Sequence, residues 1–132
     1  MRTIAGHQIE IQAELARTTA MLQALQHLKE TSMEELRQGI IRTGSDSLLA
    51  RLSEQLAVAQ RALEAAQSQR NPQEAEVRRR RAQLEDLNRK MDERAEGVLV
   101  GFRIKAESEK NVLDQLQAEA QRIGEGAEQS RN

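Results

Sequence analysis

The sequence has no cysteine, no tryptophan and no tyrosine, one phenylalanine (Phe102) and one proline (Pro72). Without cysteine there is no disulfide and no thiolate metal site, and that lack fits a reducing and an oxidising compartment equally. With one aromatic ring in 132 residues, the chain is poorly equipped to build a deep globular core. Strand-forming residues are scarce. No window approaches the roughly 18 to 20 apolar residues that span a bilayer, and the opening MRTIAGHQIEIQ lacks the apolar core of a signal peptide. Nor does one sign of charge dominate. The 20 basic and 21 acidic residues are interleaved and sum to −1, so no broad field draws in nucleic acid or an anionic membrane.

What is present is charge, at 31% of residues, and an apolar set made mostly of Ala and Leu, the profile of long helices and coiled coils. Ile4, Ile11, Leu15, Leu22 and Leu25 recur at helical spacing, widened by Met21 and Leu28, and the pattern continues through Met33, Leu36 and Ile40. The spacing predicts an amphipathic helix over about 4–42. The cluster TGSDS at 43–47 predicts a break, with Ser45, Asp46 or Ser47 capping the next helix. Leu49, Leu52, Leu56, Ala59, Leu63 and Ala66 then form the cleanest heptad of the chain, and a second helix is predicted over about 48–70. Asn71-Pro72 ends it, because proline cannot donate to the helical ladder and disfavours helical angles at the preceding residue. A third helix is predicted over about 73–123, carrying Val77, Leu84, Leu87, Met91 and Val98, then a shifted seam of Phe102, Ala106, Leu113, Leu116, Ala120 and Ile123. The step from Val98 to Phe102 is a stutter that relaxes the supercoil. Gly97 and Gly101 flank it; the first expectation for them is a soft spot in the helix, the second a bend or a close approach by a neighbouring subunit.

An all-α fold is therefore expected: a long antiparallel helical hairpin over 1–132 with its tip at Asn71 and Pro72 and one leg broken near 43–47. In such a hairpin residue i lies opposite roughly residue 145 minus i. That places the break opposite the stutter, and Leu22 and Leu25 opposite Ile123 and Ala120. A compact three-helix bundle is the alternative.

Chemistry is sparse. His7 and His27 lack the neighbours of a phosphoacceptor or a ligand set, the isolated glycines form no phosphate cradle, and no serine sits in a nucleophile elbow. No enzyme activity, catalytic residue, metal or cofactor is expected. The sharpest feature is the run Arg78, Arg79, Arg80 and Arg81. Intrahelical pairing of Glu74 with Arg78, Glu76 with Arg80 and Arg81 with Glu85 would make it a solvated, paired face. The second reading is a contact for an anion such as an acidic polysaccharide. Nucleic acid is disfavoured because no aromatics are interleaved for stacking.

From Ser47 onward, SLLARLSEQLAVAQRALEAAQ, then NPQEAEV, then RRRRAQLEDL resembles the leucine-spaced helix, proline-containing turn and Ala-Gln-Leu helix of the polysaccharide co-polymerase or chain-length determinant family, including GumC-like exopolysaccharide transport proteins. Val77, Ala82, Gln83, Leu84 and Leu87 fall on that pattern, as do Val98, Phe102, Glu109, Val112 and Leu116 further on. Asn71 stands where the family has histidine, and three extra residues separate Pro72 from Val77.

The resemblance implies the periplasmic helical hairpin of a larger bacterial inner-membrane protein, its membrane spans lying outside this chain. Such a module forms homo-oligomers, works with a polysaccharide polymerase or export machinery, touches polysaccharide, and sets polymer length or export without catalysing a bond. The alternative is the α-hairpin of a periplasmic adaptor (membrane fusion) protein of a secretion or efflux system.

Overall fold

A chain this poor in breakers leaves the helix only where a side chain or a glycine gives the helix end a better partner. The computed structural model describes residues 3–131, with side chains over 3–127; residues 1, 2 and 132 of the expected domain lie outside the described residues. Among the described residues there are four helices and no strand: α1 (Ile4–Thr31), α2 (Met33–Thr43), α3 (Ser47–Gln67) and α4 (Glu74–Arg131). The all-α class is as expected.

Each boundary has a local reason. Thr3 opens α1 by accepting from the Gly6 N–H at 3.0 Å. At Gly44 the backbone turns left-handed (φ 67°) and its N–H reaches back to the Ile40 and Ile41 carbonyls, a geometry that glycine adopts without steric cost. Of the three expected caps it is Asp46 that serves α3, its carboxylate accepting from the Leu49 N–H at 2.9 Å. The expected single helix over 4–42 is in fact two. Ser32 takes extended angles and its hydroxyl accepts from the Glu35 N–H at 3.1 Å, which starts α2. The sequence signal is Ser32-Met33-Glu34-Glu35, the Ser-x-x-Glu spacing of a helix start. At the other end α4 passes the expected stop near 123 and runs through Gly124 and Gly126. Glycine weakens a helix by about 1 kcal/mol, but it ends one only when it turns left-handed, and among the described residues Gly44 alone does so.

Packing divides the chain into two units. The unit Leu25–Leu99 holds the end of α1, all of α2 and α3, and the first half of α4. Here the leg opposite α4 doubles back on itself. Lys29 Nζ meets Glu96 at 2.7 Å rather than the region near residue 116 that the hairpin register predicts, and Arg37 meets Asn88 and Asp92 rather than the region near 108. The reversal at Ser32 lays α2 against α1: a Cβ built on Gly39 would come within 2.3 Å of Leu28 Cδ1 and 3.6 Å of Leu25 Cδ2. Then α3 resumes the original direction. Its register on α4 stays close to that expected, with Asp46 meeting Arg94 and Val58 and Ala59 lining one groove with Gln83 and Leu87.

This doubling back explains the core. Leu36 and Ile40 become fully buried with Leu25, Leu49, Met91 and Leu99, each burial being worth about 1.5–3 kcal/mol. A straight leg offers only one seam, so the burial gained outweighs the ladder bonds lost at Ser32. On α4 the buried set is Leu87, Met91, Ala95 and Leu99, in steps of four. The expected seam residue Val98 is only half-buried, because α4 here faces several helical segments rather than one partner.

The second unit pairs α1 up to Ala24 with α4 from Val100. Ile4, Ile11, Leu15 and Leu22 on one side and Phe102, Ala106, Val112, Leu113, Leu116 and Ala120 on the other are half-buried. Its two buried described residues are polar, Thr18 and Glu109. Ile123, expected to face Leu22, is 57% exposed and lies outside the covered seam.

The glycines distinguish this arrangement from a continuous leg. Gly39→Ile should lower the unfolding free energy by about 1–3 kcal/mol through overpacking against Leu28 and Leu25. Gly97→Ala and Gly101→Ala, where an added Cβ meets nothing within 4 Å, should each raise it by about 0.5–1 kcal/mol. Urea titrations of the three variants measure both signs.

Candidate functional site

The reversal between α3 and α4 is built from residues 68–73. Ser68 closes α3 with its N–H on the Glu64 carbonyl at 2.9 Å, and the Gln73 carbonyl accepts the first α4 bond, from Val77 at 3.0 Å. Asn71 and Pro72 therefore stand in the turn, where the sequence places the tip. Proline's fixed φ and missing donor suit the position just ahead of a helix.

Beside this turn lies a cleft of about 370 Å³ lined by Gln67, Pro72, Glu74, Val77, Arg78 and Arg81. Arg78 and Arg81 share it because residues three apart lie on one helix face. Of the three expected intrahelical pairs only Glu76 with Arg80 forms, at 3.9 Å. Among the described residues Arg78, Arg79 and Arg81 make no ion pair or side-chain hydrogen bond, and the buried Nε of Arg80 is also unpartnered. The run therefore divides: Arg80 turns toward Glu76, Arg78 and Arg81 face the cleft, and Arg79 is exposed.

The polar bridges of the Leu25–Leu99 unit are of another kind. The Arg37 side chain is 11% exposed. Its Nε donates to Asp92 at 2.8 Å, Nη1 to the Asn88 side chain at 3.0 Å and Nη2 to the Asn88 carbonyl at 2.8 Å. All three guanidinium nitrogens donate inside the fold, so this side chain holds helices together. Asp46, with Arg94 Nε at 2.8 Å, combines helix cap and strut. The hydrogen bond from Arg94 holds its carboxyl below the usual carboxylate range against the opposing effect of burial, with the Leu49 N–H and the Arg94 charge adding to the lowering. Sequence reasoning missed Arg37, Asn88, Asp92 and Arg94, since nothing in spacing marks which of many interleaved charges cross between helices.

Glu109 is the opposite case. It is 8% exposed, and neither carboxylate oxygen has a hydrogen-bond partner. His7 is half-buried and His27 is exposed, with His27 Nδ1 3.8 Å from Glu30. Among the described residues no group of three or more acidic, histidine or cysteine side chains could hold a metal ion, and no helix is long and apolar enough to cross a membrane.

The two carboxylates respond differently to substitution. Because the folded-state pKa of Asp46 is lowered, its contribution to stability is complete above the unfolded carboxylate range near about pH 4 and is lost as pH falls through the lower folded value. Asp46→Asn should therefore destabilise the protein at pH 7, by an amount that shrinks in urea titrations at pH 3. Glu109→Met should raise the unfolding free energy by about 1–3 kcal/mol, since it removes a buried polar group left without a partner; urea titration at pH 7 reads it. In comparisons with known protein families, curated proteins and solved structures, nothing matches this chain.

Proposed function

We propose that the protein is a non-enzymatic helical module that assembles with further copies of itself. In this reading it is the periplasmic hairpin of an inner-membrane polysaccharide chain-length determinant or exopolysaccharide export protein, acting on polymer length or export beside the polymerase or export machinery. The observation that carries the assembly is the α1–α4 pair: its apolar seam is only half covered, while Ile9, Val100, Ile104 and Ile123 are 44–67% exposed. One helix pair cannot bury both the seam and these residues, and neighbouring copies can. Polysaccharide enters through the resemblance of residues 45–123 to that family. A proline-marked reversal with α3 and α4 on either side supports it.

The test changes the exposed face and reads the polymer. Ile9→Glu with Ile104→Glu should leave helicity intact, remove concentration-dependent association in sedimentation runs, and shift the chain-length distribution of the surface polysaccharide when introduced at the native locus. Unchanged polymer in cells that have lost the association would refute the polysaccharide assignment. A wild-type protein that is strictly monomeric at millimolar concentration would refute the assembly itself.

A further inference from the structure

We infer that Arg78 and Arg81 form a guanidinium fork at the α3–α4 turn that binds the carboxylates of an acidic polysaccharide.

The first ground is electrostatic. Two guanidinium groups one helical turn apart repel each other, and like charges at this spacing cost a helix a few tenths of a kcal/mol. An acid at i−4 or i+4 is the ordinary remedy. Glu74 and Glu85 stand at those positions, yet neither pairs with Arg78 or Arg81, whereas Glu76 does pair with Arg80. The fork thus keeps its donors free. An Arg side chain with free donors offers a planar, bidentate match to a carboxylate, which a lysine does not.

The second ground is the shape and lining of the cleft. Its volume of about 370 Å³ falls within the range of sites that hold small molecules. Pro72 and Val77 give it an apolar wall, and Gln67 supplies an amide that can both donate and accept. A uronic acid unit has the same three surfaces: a C–H face, hydroxyls and a carboxylate. Glu74, on the same rim, repels a bare multivalent anion while accepting from sugar hydroxyls, and so favours a sparsely charged polymer over a densely charged one. Nucleic acid would need a stacking platform; the lone aromatic, Phe102, does not line this cleft. A membrane surface would need exposed apolar anchors. Within residues 67–81 the large apolar side chain is Val77, and it is half-buried.

The choice of a saccharide rests on the polysaccharide reading above; the fork does not. The test uses the full chain and polygalacturonate as probe, with affinity read by fluorescence titration at fixed salt. Arg78→Gln with Arg81→Gln should weaken binding by about tenfold or more, the loss of two charge-assisted contacts. Arg103→Gln with Lys105→Gln, an equal change of charge at exposed positions elsewhere on α4, should weaken it less than threefold. Circular dichroism should show both variants fully helical. No binding of polygalacturonate, or equal losses in the two double variants, overturns the fork. Tighter binding of single-stranded DNA than of polygalacturonate, abolished by the first double variant, overturns the saccharide. The two proposals fail separately: unchanged polymer length with an intact fork removes the reading of function, and altered polymer length without polygalacturonate binding removes the fork.

Discussion

The packing of residues 25–99 depends on the Arg37 side chain more than on any other polar group. A guanidinium that is 11% exposed must satisfy its donors inside the fold or unfold it. It does so with the Asn88 side chain, the Asn88 carbonyl and Asp92, three acceptors that α4 presents one turn apart. Apolar burial alone is nearly indifferent to sliding one smooth Ala/Leu helix along another. A fork that fits one pair of residues is not, and it therefore sets the height at which α2 sits on α4.

Lys29 with Glu96 and Asp46 with Arg94 extend this logic. Both are partly exposed and individually modest, as surface pairs are. Their value lies in position: one fixes the end of α1, the other the start of α3, and Arg37 lies between them in sequence. Together they tie three successive segments to one stretch of α4, where Leu87, Met91, Ala95 and Leu99 supply the buried stripe. The α1–α4 pair of the other unit buries a carboxylate without a partner at Glu109 and leaves its apolar seam half covered. Few fully buried apolar contacts mean low local stability.

The turn between α3 and α4 is held differently. Its arginines are not needed for it, because proline geometry and the two helix ends already fix the reversal. Charges that the fold does not use are free to meet something else, and in this respect Arg78 and Arg81 differ from Arg37, Arg80 and Arg94, which are all engaged within the chain.

The all-α class, the break at 43–47, the α3 heptad and the reversal at Pro72 were all legible in the residues alone. Each of these is local: a periodicity, a glycine able to turn left-handed, a cap, a missing donor. The sequence also contained the α2 start, in Ser32 and Glu35, but a cap is outweighed on paper when the apolar stripe runs on through Met33, Leu36 and Ile40. That the cap prevails is a consequence of packing, because the gain comes from burying Leu36 and Ile40 against segments remote in sequence. The same holds for the arginine run. Spacing allowed three intrahelical pairs, and tertiary surroundings decided that one forms while Arg78 and Arg81 face a cleft, since side-chain choice among equally spaced partners is settled by what packs around them.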